Sequence, residues 1–407
     1  MKLLRDRRFA ALLAAEVISS TGTQMTWLAL PWFVLVTTGS PAHMSLVLAV
    51  EIAPMALLGI PSGSLIGRLG ARTTMLLSDA LRAPLIALVP LLHWTGHLSF
   101  AALLVIVFLL GTFTAPYITS QRLIIPELFG DDERLVSKAS ALFGGATQLP
   151  IVIGPAIAGA LIAWLGAPAV LVIDAGTFLF AFACIALLVE GGRRVPQDDD
   201  ARGLLAGIHY LRRDRLLGPM TLAVIILDGA AGAIAVAVPL VAYTRYDGNV
   251  HVAGWLFTSF GVGAVIGSVA ASKLLDRIQP LHLASAAMAC ATLPLWAIAA
   301  DISWPAACAA VAVCGFFVPM VNAPMMGILS TRPPLALRAK VMTAVMTASG
   351  LGGPVGRLAV GPVYRAFGNA GVWIMVAGGL SVGAVLWIAA ALRRQTEDVA
   401  GVAVGRG

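Results

Sequence analysis

Long apolar runs recur along the whole chain and are separated by short polar junctions. Each run contains roughly 20 residues rich in Leu, Ala, Val and Gly, about the number that a helix needs to cross ~30 Å of hydrocarbon. A membrane β-barrel would instead show alternating segments of about ten residues, so the pattern predicts helices. We predict twelve spans, over residues 9–36, 44–66, 73–92, 98–120, 138–165, 168–189, 216–243, 251–273, 280–299, 303–329, 340–364 and 370–392.

The composition agrees with a chain that crosses a membrane many times. Of its 407 residues, 59% are hydrophobic and only 12% are charged, and the mean hydropathy is +0.91. The net charge of +7 could indicate nucleic-acid binding, but the basic residues fall in alternate junctions rather than on one soluble face. Cytoplasmic segments of membrane proteins are enriched in Lys and Arg, and the predicted outer loops hold only Arg245 and Arg365. We therefore expect both termini in the cytoplasm and no nucleic-acid partner.

The sequence offers little for catalysis or metal binding. The four cysteines lie in apolar runs without the paired spacing of a metal site, and a Gly-x-x-x-x-Gly-Lys-Ser/Thr phosphate loop is missing. His93 and His97 have the spacing of zinc ligands on a helix but flank a turn at Gly96. We expect no enzyme activity, no cofactor and no metal. The basic N-terminus and the long apolar run after it indicate an uncleaved first helix.

The longest polar stretch divides the chain into two halves. We predict a six-helix bundle over 1–190, a cytoplasmic linker over 191–215 and a second six-helix bundle over 216–407. The segment 203–217 fits either a short amphipathic helix on the inner leaflet or a solvated connection. The halves also contain a matching segment, because "GPAIAGALIAWLG" at 154–166 aligns without gaps with "GRLAVGPVYRAFG" at 356–368. Internal duplication of this kind is typical of transporters.

The junction between the second and third runs, "GSLIGRLGAR" at 63–72, is rich in glycine and arginine. Glycines recur here every four residues and form a stripe on which another helix can pack closely. Arg68 and Arg72 follow, and we expect them to meet the C-terminal end of the second helix, where cations complement exposed carbonyl groups. The junction is therefore a candidate charged gate on the cytoplasmic side.

This junction resembles the signature of the major facilitator superfamily, Gly-x-Leu-x-Asp-Arg-x-Gly-Arg-Arg. The matching positions are Gly63, Leu65, Arg68, Gly70 and Arg72. Gly67 replaces the Asp of the signature and Ala71 replaces one Arg, so the gating ion pair that this Asp would form is missing from the first half. Asp276 and Arg277, between the eighth and ninth spans, are the candidates for that role in the other half.

A second resemblance lies in the fifth span. Gly154 and Pro155, with Gly159 following, resemble the Gly-Pro motif that this superfamily associates with antiporters. The segments "SQRLIIPELFGDDERLVSKASAL" and "VIDAGTFLFA" are similar to the bacterial branch that contains macrolide-efflux and enterobactin-exporter proteins. The resemblance implies an all-α membrane protein of twelve transmembrane helices, arranged as two pseudo-symmetric six-helix bundles around a central cavity. It also implies a multi-pass location in a bacterial cytoplasmic membrane.

Ionisable side chains inside the spans are costly, and each is a candidate functional residue. They are Glu16, Glu51, Asp79, Arg82, Arg122, Asp174, Asp228 and Arg357. Asp79 and Arg82 lie three positions apart on one helix face, so we expect them to pair. Asp174 is a candidate brace to a neighbouring helix. Arg122 either reaches the inner surface or pairs with a carboxylate.

Glu16 and Asp228 are the main candidates for proton coupling, with Glu51 as a third. A carboxyl group buried between helices can bind and release a proton near neutral pH, and it can also attract a cationic substrate. The sequence places Asp228 near the middle of the seventh span with nothing nearby to neutralise it, and Glu16 in the corresponding region of the first span. Hydrogen bonding between helices is the structural alternative for each.

Aromatic, hydroxyl and amide side chains at similar depths are candidates for substrate binding. They are Thr23, Trp27, Tyr117, Gln121, Gln148, Phe316 and Asn322. The resemblance implies a cavity lined by spans one, four, seven and ten, and such side chains would form an amphipathic wall there. For any single one of them, ordinary packing is the alternative.

These patterns together predict a secondary transporter. We expect a monomeric, proton-coupled exporter of amphipathic or drug-like small molecules, whose partners are its substrate, protons and the lipid bilayer. The alternatives are an exporter dedicated to one metabolite or siderophore, an uncoupled facilitator, and a membrane receptor that kept the fold without transport.

Overall fold

The computed structural model describes residues 6–129, 133–189 and 208–404, except for some side chains within helices. Those side chains belong to residues 56–65, 67, 68, 122, 126, 133–135, 137, 141, 330, 331, 335, 336, 338–340, 343 and 393–404. The described residues form helices and no strand, which confirms the all-α expectation. The helices are α1 (Arg7–Thr38), α2 (Pro41–Leu69), α3 (Ala71–Trp94), α4 (Phe100–Phe129), α5 (Glu133–Ala146), α6 (Leu149–Leu165), α7 (Ala167–Leu188), α8 (Leu217–Thr244), α9 (Val250–Leu275), α10 (Pro280–Ala299), α11 (Trp304–Thr331), α12 (Leu335–Gly350) and α13 (Gly352–Val404).

Helices occupy the positions of all the predicted spans. α5 and α6 together form the fifth span, and α12 with the first part of α13 forms the eleventh. Nine of the described helical stretches are long and apolar enough to cross a membrane, and the last of them, Ala344–Leu392, contains two predicted spans. α1 has sufficient length but a polar middle, while the described part of α2 contributes a shorter apolar stretch, Pro41–Met55. The chain is therefore a multi-pass membrane protein.

Three glycines with positive φ each form a single-residue connection between helical spans. Gly70 (φ 83°, ψ 156°) joins α2 to α3, and Gly166 (φ 82°, ψ 158°) joins α6 to α7. Gly368 (φ 64°, ψ −161°) interrupts α13 between its two spans. A side chain at any of these positions would be strained, since only glycine adopts such angles readily. Gly166 and Gly368 are matched positions of the two aligned segments, so both halves have the same backbone break.

Contacts between residues divide the chain into two compact units. The first unit contains Met1–Asp199 and Asp247–Thr258, and the second contains Asp200–Tyr246 and Ser259–Gly407. The predicted domain boundaries differ from these units mainly at Asp247–Thr258, the start of α9, and they stay a prediction.

Each unit has its own apolar core. In the first unit α1 packs against α6 and α7, and α3 packs against α4 and α7. Its fully buried side chains include Phe9, Leu12, Met75, Ile124 and Ile185. In the second unit α8 packs against α13, and α10 packs against α11 and α13. Its core includes Leu217, Met220, Val341, Val345 and Trp387.

An aspartate lies at the start of α1, and another lies between the short helical segment 208–213 and α8. Asp6 accepts hydrogen bonds from two amides of the first turn of α1 at 2.9 and 3.4 Å, and the side chain of Arg8 holds the pKa of Asp6 below its ordinary value. Asp214 accepts from two amides at the start of α8 at 2.9 and 2.8 Å and from Nε of Arg332 at 3.0 Å. Burial alone would raise the pKa of Asp214, but these hydrogen bonds outweigh it and the pKa lies below the ordinary value.

Candidate functional site

The first unit contains a cavity of about 540 Å³ between α1, α3, α4, α5 and α6. Six of the predicted functional residues line it, namely Glu16, Thr23, Trp27, Tyr117, Gln121 and Gln148. The remaining wall consists of apolar residues such as Ile118 and Phe143 together with hydroxyl groups such as Ser20 and Thr114. We call this space the first cavity. It combines aromatic, amide, hydroxyl and carboxyl groups, as pockets for amphipathic ligands do.

Glu16 is the carboxyl group of the first cavity. Its side chain is almost fully buried, and it accepts hydrogen bonds from Ser20 at 2.6 Å and from the Gln121 amide at Oε1. The Tyr117 hydroxyl donates to its other oxygen, Oε2, at 3.2 Å. Two of these donors are on α4, so the carboxyl joins α1 to α4 while it faces the cavity.

Arg82 supplies a positive charge to the same wall. It forms the predicted pair with Asp79, but the distance from Nη1 to Oδ1 is 3.7 Å, longer than a hydrogen bond. Nη2 donates to Thr23 at 3.4 Å. The guanidinium also lies 4.0 Å from the ring centre of Phe178 and 5.0 Å from that of Tyr117, as in cation–π contacts. Sequence spacing indicated the pair with Asp79 but not that Arg82 lines the cavity.

Asp174 braces α7 against α1. Thr26 on α1 donates to its Oδ2 at 2.6 Å, and Thr177 donates to its Oδ1 at 3.0 Å. Gly22 allows this approach, because a Cβ at that position would lie 2.3 Å from Oδ1 of Asp174. The geometry agrees with the brace that the sequence indicates.

The second unit contains a smaller cavity of about 270 Å³, between α8, α11 and α12. Asp228 and Asn322, both predicted, lie on its wall together with Met325 and Met326. The Ser349 hydroxyl donates to Oδ2 of Asp228. We call this space the second cavity. No local pattern indicates Ser349 as a partner of Asp228, because the two residues lie 121 positions apart in the chain.

Two further candidates lie outside the walls of these two cavities. Phe316 makes an edge-to-face contact with Phe317, with ring centres 5.1 Å apart, and its backbone lies against Gly267 of α9. Glu51 is half-buried on α2, and its carbonyl lies against Gly111 of α4. Both positions therefore mark close contacts between helices.

The start of α3 is fixed by two neighbouring helices. The guanidinium of Arg72 donates to carbonyl groups at the C-terminal end of α7, namely those of Ile185 at 3.4 Å, Ala186 at 2.9 Å and Val189. The expectation that Arg72 meets the end of α2 is therefore wrong, although the physical attraction of a cation to helix carbonyls is the same. Glu127 of α4, which no sequence motif indicates, accepts from the amide of Ala71 at 3.1 Å.

The other gate candidates lie near the C-terminal ends of α2 and α9. The surroundings of Gly63 and the side chain of Arg68 lie outside the described part of the structure. Gly70 forms the left-handed turn between α2 and α3. Asp276 and Arg277 are exposed just after α9.

The Gly-Pro motif of the fifth span lies on α6. A Cβ at Gly154 would lie 2.6 Å from Cβ of Gln24 on α1. Pro155 lies one position further along α6, and Gly159 lies against the backbone of Val250 and Gly254, at the part of α9 that belongs to the first unit. The two glycines therefore let α6 approach two helices closely.

Comparison with known proteins identifies the family. A family model described as "Transmembrane secretion effector" matches residues 2–403. The chain belongs to this family. It is a transporter of the major facilitator superfamily and not an enzyme.

Similar proteins include two named pumps. The multidrug efflux pump Tap of Mycolicibacterium fortuitum is 24% identical to this transporter over 364 residues, covering 88% of this chain and 89% of that protein. The protein of the same name from Mycobacterium tuberculosis is 25% identical over 372 residues and covers 88% of this chain and 87% of its own.

Solved structures share the fold. The nucleoside transporter NupG in its D323A form has a TM-score of 0.81 at 12% identity, covering 94% of this chain and 99% of that chain. A bacterial homolog of the lysosomal transporter Spinster, solved in an inward-facing and occupied conformation, has a TM-score of 0.72 at 14% identity and covers 96% of both chains. The predicted fold is confirmed.

Proposed function

We propose that this transporter exports amphipathic, drug-like small molecules in exchange for protons, by alternating access. The observation that carries the proposal is a buried carboxyl group, Glu16, on the wall of a cavity of about 540 Å³. This volume lies within the ~300–1,000 Å³ typical of sites for small molecules. The mycobacterial relatives named as multidrug efflux pumps support the direction and the breadth of the transport.

The wall of the first cavity favours ligands with both apolar and cationic parts. Trp27 and Tyr117 offer aromatic faces, and Gln121 and Gln148 offer groups that donate and accept hydrogen bonds. Glu16 supplies negative charge when it is ionised. A lipophilic cation is therefore the substrate class we test first.

Proton coupling arises because protons and cationic substrates compete for the same carboxyl groups. Glu16 and Asp228 each lie on the wall of a cavity and accept hydrogen bonds from uncharged donors. In the proposed cycle, the ionised groups attract substrate from the cytoplasm, and proton uptake from the outside then favours its release. Asp276 and Arg277 belong to the cytoplasmic gate of this cycle, with Arg68 and Arg72 of the first half.

The location and assembly of this transporter are part of the proposal. Basic residues are concentrated in the segments that we assign to the inside. We place the protein as a monomer in a bacterial cytoplasmic membrane, with both termini in the cytoplasm.

Transport by purified protein in liposomes tests the proposal, with ethidium as the probe. We expect an imposed pH gradient to drive ethidium accumulation, and we expect the double variant Glu16→Gln/Asp228→Asn to lose this accumulation. Asp247→Asn, which neutralises an exposed acid in the loop after α8, is the matched control and should behave as wild type.

The other outcomes separate the alternatives. An ethidium flux that does not depend on the pH gradient would indicate an uncoupled facilitator. Ethidium binding without flux would indicate a receptor. Accumulation that survives in the double variant would disprove the assignment of the two carboxyl groups.

A further inference from the structure

We infer that Asp79 is a second proton-binding carboxyl group of the first unit, and that its protonation sets the position of Arg82 on the wall of the first cavity. The inference rests on the proposed proton-coupled export and names a residue that regulates the same site. Asp79 is a positioning residue in this scheme, since it acts on the cavity through Arg82.

Asp79 is buried without the hydrogen bonds that an ionised carboxyl group requires. Its side chain has no exposed surface, and neither carboxyl oxygen has a hydrogen-bond partner among the described residues. Two nitrogens of Arg82, Nε and Nη1, likewise have none there. Burying a charge in this way is strongly unfavourable unless the charge is paired and hydrogen-bonded.

The charges around Asp79 do not balance if every acid is ionised. Glu16 on α1, Asp174 on α7 and Tyr117 on α4 face this cluster, and Arg82 lies on the same helix as Asp79. The positive charge of Arg82 lies close enough to attract all three carboxyl groups when they are ionised. One guanidinium can neutralise only one carboxylate, so full ionisation would leave two uncompensated negative charges in a buried space. At least one of the three acids therefore carries a proton.

Hydrogen bonding indicates which of the three acids carries the proton. Glu16 accepts from three side chains, and Asp174 accepts from two threonines at its two oxygens. Such bonds favour the ionised form. Asp79 accepts none, so it is the acid whose neutral form costs least.

Arg82 connects the proton on Asp79 to the cavity. In the described arrangement Arg82 is 3.7 Å from Asp79 and donates to Thr23 at 3.4 Å. When Asp79 releases its proton to water, the new carboxylate draws the guanidinium to about 2.8 Å. The contact with Thr23 is then lost and positive charge moves away from Glu16. When Asp79 takes up a proton, the ion pair ends and Arg82 returns toward the cavity.

Infrared difference spectroscopy of the purified protein tests the proton directly. We expect a band of a protonated carboxyl group at neutral pH that disappears in Asp79→Asn and remains in Asp174→Asn. Arg82→Gln is a second test in case Asp79→Asn does not fold. Without the cation Asp79 should stay protonated, so this variant should keep the band at alkaline pH, where wild type loses it. A band that is unchanged in Asp79→Asn, or that titrates as wild type in Arg82→Gln, would overturn the inference.

The pH dependence of ethidium binding tests the effect on the cavity. One coupled proton changes an affinity by up to about tenfold per pH unit. We expect Asp79→Asn to lose this part of the dependence and Asp79→Glu to restore it, whereas a purely structural role would lower binding equally at every pH. A wild-type pH profile in Asp79→Asn would contradict the inference. If the infrared band belongs to Asp79 but wild type shows no gradient-driven transport, the proposed function fails and the proton site stands.

Discussion

The two cavities differ in how their acids are held. Glu16 in the first cavity has three hydrogen-bond donors and the positive charge of Arg82 nearby. Asp228 in the second cavity is bonded to one hydroxyl, that of Ser349, and lies beside methionines. The first cavity is also about twice the volume of the second, at 540 against 270 Å³.

This difference indicates that the cavities of two similar halves can have different roles in transport. A polar wall with a cation nearby suits a site where charge changes during the cycle, because the neighbouring dipoles favour the ionised form. A wall of flexible thioether chains suits adaptable apolar contact. We therefore expect the first cavity to dominate proton coupling and the second to contribute mainly to substrate contact.

Neutralising the two acids separately is the strongest test of this division. Glu16→Gln should lower gradient-driven ethidium transport by about 10- to 100-fold, corresponding to the ~1.5–3 kcal/mol of hydrogen bonds to a charged group. Asp228→Asn should lower it by roughly fivefold, since Asn keeps a bond to Ser349 but a neutral hydrogen bond is about 1 kcal/mol weaker than one to a carboxylate. Initial rates in liposomes, normalised to inserted protein, measure both. A larger loss in Asp228→Asn would reverse the assignment.

Glycine contacts give a second comparison between the units. A Cβ at Gly356 would lie 1.7 Å from the carbonyl oxygen of Gly229, whereas a Cβ at the matched Gly154 would lie 2.6 Å from the side chain of Gln24. Gly356→Ala should lower the free energy of unfolding by about 1–3 kcal/mol, because the new methyl group would collide with backbone. Gly154→Ala should lower it by less, because its nearest contact is a more distant side-chain atom. Thermal unfolding in detergent measures both.

Gly353→Ala is the matched control for these variants. A Cβ there meets open space, and replacing a helical Gly with Ala favours the helix by about 1 kcal/mol. Its melting temperature should equal or exceed that of wild type. Equal melting temperatures for Gly356→Ala and Gly353→Ala would show that the close approach of α13 to α8 is not needed.

The Thr26–Asp174 bond gives the third comparison. Thr26→Val removes the donor to a buried carboxyl group of another helix and should cost about 1–3 kcal/mol of stability. Thr221→Val in the second unit is the control, because that buried hydroxyl donates to the carbonyl of Leu217 on its own helix. Chemical unfolding of both variants measures the difference. If Thr221→Val were as harmful as Thr26→Val, the brace between helices would carry no special stability.

The spans and the acids that face cavities could be predicted from local patterns. Run length and hydropathy alone locate the helices, and one polar stripe places Glu16, Thr23 and Trp27 on a common face. The matched glycines Gly166 and Gly368 indicate the same turn in both halves. The helices and the polar stripe depend only on neighbours in the sequence, and the matched turns depend on the repeat between the two halves.

Partners on other helices could not be predicted in the same way. Arg72 bonds to the end of α7 rather than of α2, and Glu127 reaches the amide of Ala71 from 56 positions away. Ser349 meets Asp228 across 121 positions. Which helices pack together is set by the whole fold, and short segments of sequence carry no sign of it.

The capping aspartates give the smallest expected effect. Asp214→Ala should lower stability by about 0.5–2 kcal/mol, typical of a lost helix N-cap, and Asp6→Ala should lower it by less because Asp6 is more exposed. The pKa of Asp214 lies below its ordinary 3.8, so its contribution is complete above that pH and is lost as the pH falls through the lowered value. Melting temperatures of wild type and Asp214→Ala should therefore differ at neutral pH and converge in acid, while Asp276→Ala, at an exposed acid, should match wild type throughout. A gap that persists at low pH would mean that Asp214 stabilises α8 by packing rather than by charge.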